Sequence, residues 1–172
     1  MGYTTERQPE GATKSVEGFL REGIIAEVVA INDYSYFIAS TDNKELKEFF
    51  HEIMEDEKRH FSMFLEALRS IDEEEKESEE GSEEHIKISS KGKYSDYTNK
   101  CNKNTNLLVN IRDAVKGELE AILLYEHFII NLSDNTISKI IKEIIKDEKE
   151  HVEELTRALI ILDKDKYGDL NC

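Results

Sequence analysis

Residues 49–68 read FFHEIMEDEKRHFSMFLEAL, and residues 140–159, 91 positions later, read IIKEIIKDEKEHVEELTRAL. Both stretches carry apolar residues at helical spacing, which predicts two amphipathic helices. In the first, Glu57 lies one heptad from Phe50 and from Phe64, and the second stretch repeats this placement. Each helix therefore turns a Glu-x-x-His pair toward the core, where apolar side chains are expected.

The agreement between the two halves extends beyond these helices. The motif Glu-x-x-Ala-x-x-x-Tyr at 27–34 recurs at 118–125 after the same shift of 91 residues. Matches at so many chemically distinctive positions indicate an internal duplication. Apolar periodicity across both halves predicts four helices. They span 15–40, 44–71, 106–132 and 136–162.

Short polar segments separate the two helices of each half: STDN at 40–43 and LSDN at 132–135. Asp and Asn favour turns and cap helix N-termini, so each half is predicted to be an antiparallel helical hairpin. Two hairpins can close one core. The predicted fold class is all-α, a four-helix bundle of two duplicated hairpins joined by a long crossover loop.

The connection between the hairpins is the linker at 72–105, which opens with DEEEKESEEGSEE. Like charge at this density predicts a solvated, partly disordered loop with at most a short ordered piece. An extended chain of about 12 residues covers the roughly 40 Å length of such helices. The linker can thus run the length of the bundle, which occupies 15–163 between flexible tails at 1–14 and 164–172.

The height of the inward polar residues along the bundle axis follows from their distance in sequence to the turns. Glu27 and Glu57 each lie 15 residues from position 42, and Glu118 and Glu148 each lie 15 residues from position 133. At about 1.5 Å per residue, each pair lies about 22 Å from its own turn. We expect the two pairs to meet at one height, with both turns at the same end of the bundle.

Six inward polar side chains then converge on one place. Four buried carboxylates without compensation would cost several kcal/mol each, whereas two divalent cations balance their charge. Carboxylate and imidazole ligands suit iron or manganese, and bridging carboxylates would leave positions open for dioxygen, peroxide or water. The predicted metal ligands are Glu27, Glu57, His60, Glu118, Glu148 and His151.

Four further residues are candidates for contacts with these ligands. Tyr34 and Tyr125 lie two turns from the lone glutamates, either as ordinary core aromatics or as hydrogen-bond donors to a ligand carboxylate. Asp56 and Asp147 precede the Glu-x-x-His glutamates, either to orient an imidazole or as exposed caps or ion-pair partners. Glu120 is predicted to lie on the surface.

Composition excludes several classes of partner. The net charge of −15 disfavours nucleic acid and anionic membrane surfaces. The sequence contains no apolar run of about 18 residues and no signal peptide's apolar centre, so a cytoplasmic protein is expected. Cys101 and Cys172 belong to no C-x-x-C pair, which predicts neither a disulfide framework nor a cysteine-bound metal.

The six predicted ligands resemble the site of the ferritin-like di-iron carboxylate superfamily, and among its branches the rubrerythrin-like one. In that superfamily one Glu from each of two helices joins a Glu-x-x-His pair from each of the other two. The resemblance covers about 150 of the 172 residues. It implies a ferritin-like bundle with two bridged irons, or manganese, that reacts with dioxygen or hydrogen peroxide.

Two features differ from that branch. Full-length rubrerythrins carry a rubredoxin domain built on paired C-x-x-C motifs, which this sequence lacks. Electrons would then come from a separate donor such as a rubredoxin-like protein. Rubrerythrins also tend to carry a further carboxylate one turn along the third helix, where this chain has Ala121.

The sequence therefore predicts a di-iron oxidoreductase that reduces peroxide or dioxygen, with a homodimer expected. The alternative is a ferroxidase or iron-storage protein, for which a very large particle is expected. A dimanganese catalase-like site and a non-catalytic bundle with a vestigial site are the remaining readings.

Overall fold

The structure is a computed structural model, and it describes residues 15–86, 88 and 107–164. The predicted tail at 1–14, the tail beyond 164 and most of the linker lie outside the described residues. The described residues contain five helices. They are α1 (Val16–Ser40), α2 (Lys44–Ile71), α3 (Glu73–His85), α4 (Leu107–Asn131) and α5 (Asn135–Leu162).

Side chains in the two predicted turns cap the helices that follow them. Asn43 Oδ1 accepts a hydrogen bond from the backbone N–H of Glu45 at 2.9 Å. Asp134, the equivalent residue after the shift of 91, accepts from the N–H of Thr136 at 2.7 Å. Capping of this kind satisfies backbone donors that the first helical turn leaves without a partner. The second helix of each hairpin thus begins with the same kind of side-chain N-cap.

The acidic stretch after α2 forms a longer ordered element than the sequence predicted. It folds as α3, a helix of 13 residues, rather than as a loop. Asp72 ends α2 and also caps α3, since its Oδ1 accepts from the N–H of Glu75 at 3.3 Å. Glu is a strong helix former, and the cap supplies a start, so helical propensity outweighs the like-charge repulsion here.

The four long helices pack around two core clusters, one on each side of the polar site. The first cluster joins the start of α1 and the end of α2 with the end of α4 and the start of α5. The second joins the end of α1 and the start of α2 with the start of α4 and the end of α5. Helices α1 and α4 therefore run antiparallel, and the two turns lie at opposite ends of the bundle.

This arrangement shows that the expectation of both turns at one end was wrong. The predicted ligands lie near the middle of helices about 40 Å long, so about 22 Å from either end is nearly the same height. Equal distances to the turns therefore fit either placement. Since α2 ends and α4 begins at opposite ends, the connection between them spans the bundle, as a crossover does.

Among the described residues, none of the five helices carries the long apolar stretch that a membrane span requires.

Candidate metal centre

The six predicted ligand side chains lie together in the middle of the bundle, between the two core clusters. Each is at most 3% exposed. Their contributing helices match the prediction: one glutamate each from α1 and α4, and a Glu-x-x-His pair each from α2 and α5. The sequence expectation that these polar residues face inward is confirmed.

These side chains form two overlapping groups of four, and the potential ligand atoms within each group lie within 4.8 Å of one another. The first group is Glu27, Glu57, His60 and Glu148, and the second is Glu57, Glu118, Glu148 and His151. Glu57 and Glu148 belong to both groups. Each group could hold one metal ion, and Glu57 and Glu148 would then be the ligands that the two ions share.

Each histidine faces the glutamate of the other half of the chain. His60 Nδ1 lies 3.3 Å from Glu148 Oε1, and His151 Nδ1 lies 3.1 Å from Glu57 Oε1. Since a shift of 91 residues converts one contact into the other, the site has approximate two-fold symmetry. Both Nδ1 atoms point at the carboxylates, so Nδ1 is the nitrogen available to a metal.

In the metal-free cluster, protons take up much of the carboxylate charge. Burial raises the pKa of Glu27 and of Glu118 well above the ordinary value, and the charges of neighbouring glutamates raise both further. Burial lowers the pKa of His60, but contacts with Glu148 and Glu57 raise it to about 9. Burial also opposes ionisation of Glu57, yet its contacts with the histidines lower its pKa to about 2.

The same balance acts on His151. Burial lowers its pKa, and contacts with Glu148 and Glu57 raise it to about 11. At neutral pH both imidazoles therefore hold their protons and Glu57 is ionised, and the raised pKa values of Glu27 and Glu118 favour their protonated forms. Protons thereby offset part of the charge that the buried carboxylates would otherwise carry.

Several buried atoms of the cluster make no well-aligned hydrogen bond. They are Glu57 Oε1, His60 Nδ1 and Glu148 Oε1. Each lies 3.1–3.3 Å from an atom of the facing half without good alignment, and native structures contain few buried polar atoms that are poorly hydrogen-bonded. The donor types are oxygen and imidazole nitrogen, which suit iron or manganese. The residues present therefore fit a two-metal site better than a hydrogen-bonded core.

The two tyrosines contact ligand glutamates across the bundle. The Tyr34 hydroxyl donates to Glu118 Oε1, and the Tyr125 hydroxyl donates to Glu27 Oε1. Of the two readings that the sequence left open, the hydrogen-bonded one is found for both residues. Burial and the facing carboxylates raise the pKa of both phenols, so each keeps its proton.

The two aspartates lie behind the histidines, again across the halves. Asp147 Oδ2 lies 3.5 Å from His60 Nε2, and Asp56 Oδ2 lies 3.6 Å from His151 Nε2. A carboxylate at this place can fix the orientation of an imidazole whose other nitrogen binds metal. The side chains are 16% and 46% exposed respectively, so the alternative ion-pair reading also applies to them.

Their ion-pair partner is Arg59, which the sequence did not single out. Its Nη2 lies 2.7 Å from Asp147 Oδ2 and 2.9 Å from Asp56 Oδ1. One guanidinium thereby joins α2 to α5 on the outer side of both histidines. The equivalent residue in the second half is Glu150, which pairs with Lys146 at 2.8 Å. The two-fold symmetry of the site is broken at this position.

On the opposite side, α1 and α4 enclose a cavity of about 40 Å³. Its walls include the ligands Glu27, Glu57 and Glu118 as well as Ala121. A water needs about 10–15 Å³ of such volume, so only a few water-sized groups fit. Glu120 also lines the cavity, is 23% exposed and has one buried oxygen, so the prediction of a plain surface position was wrong.

Comparisons with known proteins agree with this architecture. No curated protein matches the chain. Among solved structures, a two-domain protein from Anabaena variabilis with DJ-1/ThiJ/PfpI-like and ferritin-like domains superposes with a TM-score of 0.69 at 18% identity. The match covers 91% of this chain and 42% of that protein, so this chain spans less than half of its length.

The fold is therefore that of a ferritin-like bundle, as the sequence predicted. A family model also matches directly: that of rubrerythrin, over residues 18–104. These residues carry α1, α2 and the first Glu-x-x-His pair. Taken with the ligand arrangement, this match shows that the chain belongs to the rubrerythrin family.

Proposed function

We propose that this protein is a non-haem di-iron oxidoreductase that reduces hydrogen peroxide or dioxygen, with electrons from a separate donor protein such as a rubredoxin-like one. The observation that carries the proposal is the pair of overlapping ligand groups that share Glu57 and Glu148 and border a small cavity. Two ferrous ions held there would each supply one electron for the two-electron reduction of peroxide to water. A cavity of about 40 Å³ suits an oxidant with two oxygen atoms, such as hydrogen peroxide or dioxygen, and not a bulky organic substrate.

The surrounding residues would orient the ligands and hold protons near the site. Tyr34 and Tyr125 keep hydroxyl protons at the edge of the cluster, each against a lone glutamate. Asp56 and Asp147 would fix the two imidazoles with Nδ1 toward the metal. The two apolar clusters above and below exclude water, which strengthens the electrostatic contacts inside.

An anaerobic titration of the metal-free protein with Fe(II), followed by single-turnover mixing with hydrogen peroxide or with dioxygen, tests the proposal. Binding of two irons per chain and faster oxidation by peroxide than by dioxygen are expected for a peroxidase. Failure to bind iron in a two-to-one ratio would refute the di-iron proposal altogether.

The alternative is a ferroxidase or an iron-handling protein, and the acidic lining of the cavity favours it. Four acids other than the ligands line that cavity: Glu22, Asp33, Asp113 and Glu120. A ferroxidase would react mainly with dioxygen and then continue to take up iron well beyond two per chain. The same titration, extended aerobically with excess Fe(II), separates the two functions.

A further inference from the structure

The cavity between α1 and α4 has a strongly asymmetric charge. Besides three ligand glutamates it is lined by four other acids, while none of the described residues lining it is a lysine, arginine or histidine. One neighbouring cation, Lys116, pairs with Glu120 at 2.8 Å at the edge. A cleft lined by one sign of charge concentrates ions of the opposite sign and raises their rate of association.

Asp33 of α1 and Asp113 of α4 face each other across this seam. Burial raises the pKa of Asp33, and the charge of Asp113 raises it further, as expected for two carboxylates at close range. Such repulsion opposes folding. The bundle does not need an acid at this place, because the internal repeat puts Leu124 at the position equivalent to Asp33. Asp33 is therefore better explained by a ligand than by the fold, whereas the position equivalent to Asp113 is also an acid, Glu22.

The two sides of the site differ in what they allow to approach. On the α2–α5 side, Arg59 forms ion pairs with Asp56, Asp147 and Glu143, and its side chain covers the site there. On the α1–α4 side, the wall consists partly of small residues, namely Ala26, Ala30, Gly117 and Ala121. The α2–α5 side is thus covered by a paired side chain, whereas at the α1–α4 seam the small side chains leave room for a cation.

The floor of the cavity also points to a cation. Glu57, which belongs to both groups of potential ligands, lines it and is 1% exposed, so the cavity reaches the ligand cluster directly. We propose that the α1–α4 cavity is the route by which divalent cations reach the two metal positions, and that Asp33 and Asp113 form its electrostatic entrance. The inference rests on the proposed function only in requiring that the cluster binds metal.

Stopped-flow loading of the metal-free protein with Co(II), followed by visible absorption, tests the route without any catalytic assay. D33N/D113N is expected to lower the second-order loading rate at least about tenfold at low ionic strength, within the range seen for charged clefts. The difference should shrink at high salt because screening removes steering. Two cobalt ions per chain should still bind, since no ligand has changed.

A matched control removes the same charge elsewhere. E153Q/E154Q neutralises two exposed acids on α5, away from the seam, and should load within about twofold of the unchanged protein. A steric variant, Ala121→Val, should slow loading at low and high salt alike because it narrows the passage. D113N alone, at an exposed position, provides a milder variant that does not perturb the core and is expected to slow loading in part.

Equal loading rates for D33N/D113N and E153Q/E154Q would overturn the route, as would slowing that persists unchanged at high salt. Those results would leave the di-iron proposal standing, since two ions would still bind. If the unchanged protein takes up no stoichiometric cobalt, the metal site itself is refuted, and with it both proposals.

Discussion

Arg59 contacts both halves of the site at once. It holds two aspartates that would otherwise repel each other, and each aspartate faces a ligand histidine. Arg59→Gln should weaken binding of the two metal ions by about 10–100-fold, the usual effect of losing a contact behind a metal ligand. Competition titration against a chelator of known affinity measures the change.

Arg69 provides the control for that experiment. It lies on the same helix and pairs with Glu79 at 2.6 Å, which belongs to α3. Arg69→Gln should leave metal affinity unchanged. If the two glutamine variants bind metal equally well, Arg59 has no part in orienting the histidines.

Removal of one Glu-x-x-His pair tests the ligand assignment itself. Glu148 belongs to both groups of potential ligands and His151 to one, so E148A/H151A should abolish stable binding of two ions. The helical fold should persist, because the core clusters lie above and below the site. Metal analysis after dialysis, with circular dichroism for helicity, gives the outcome, and His127→Ala is the control. Two ions still bound per chain would show that the assignment is wrong.

Heptad spacing and the internal duplication were enough to find all six convergent residues, because both can be read directly from the amino-acid sequence. The contacts of Asp56, Asp147 and Arg59 could not be predicted in the same way. Each of them crosses from α2 to α5, so it depends on how the two hairpins dock. The sequence does show Arg59 opposite Glu150 after the shift of 91 residues, but the ion pairs that this difference changes are seen only in the structure.

Helix packing near the site depends on one close approach. A Cβ added to Gly23 of α1 would lie 2.7 Å from a ring carbon of Phe64, which is fully buried on α2. The second half carries Ala114 and Leu155 at the equivalent positions, both in the second core cluster. A larger residue on one helix is thus matched by a smaller one on its neighbour.

Gly23→Ala should therefore destabilise the protein by up to about 2 kcal/mol. Overpacking costs about 1–3 kcal/mol, and only about 1 kcal/mol returns through the higher helix propensity of alanine. Adding Phe64→Leu recreates the Ala–Leu pair of the second half and should restore much of the lost free energy of unfolding. Urea unfolding of the four members of the double-mutant cycle measures the coupling. Purely additive effects would mean that the two residues do not constrain each other.

The elements themselves were predicted closely where the pattern was strong. The four long helices begin and end within one residue of their predicted bounds, because apolar periodicity and capping residues agree there. Helix α3 was missed since its sequence has no apolar face, and charge density was taken to outweigh propensity. Its cap at Asp72 also pairs with Arg21 at 2.6 Å, a contact between distant parts of the chain.

For the whole molecule, the ends of the bundle at which the two turns lie could not be predicted from the sequence. A site in the middle of the bundle is compatible with parallel or antiparallel docking of the two hairpins, so ligand heights carry no information about topology. The cross-helix contacts of Tyr34 and Tyr125 do carry it, because they fit antiparallel α1 and α4. Those contacts depend on how the two hairpins pack, so the sequence alone does not predict them.

The charge state of the buried cluster makes the stability of the metal-free protein depend on pH. The pKa of His60 is raised to about 9, so its stabilising effect is complete below its unfolded value near 6.5 and is lost as the pH rises through 9. His151 and the two lone glutamates act in the same direction, since the folded state holds their protons more tightly. Glu57 acts oppositely and only in acid, where stability falls as the pH drops toward 2.

The melting temperature of the metal-free protein should therefore fall between pH 6.5 and 9. One extra proton in the folded state corresponds to about 1.4 kcal/mol per pH unit, or a few degrees for a domain of this size. Thermal unfolding in chelator-treated buffers measures the slope. The E148A/H151A variant lacks one of the two imidazoles, so its melting temperature should fall less steeply with pH. A flat profile would mean that the cluster is not protonated as its contacts require.

Metal binding should reverse this dependence, because two divalent ions replace the protons that neutralise the cluster. Protons on Glu27, Glu118, His60 and His151 must leave before those atoms can bind metal. Loading with two divalent ions at pH 7 should therefore release up to about four protons per chain, and the melting temperature of the loaded protein should rise with pH. Calorimetric titration in buffers of different ionisation enthalpy counts the protons directly. Release of less than about one proton would contradict the charge balance of the site, even if two ions bound, because ions that leave the protons in place must lie outside the cluster.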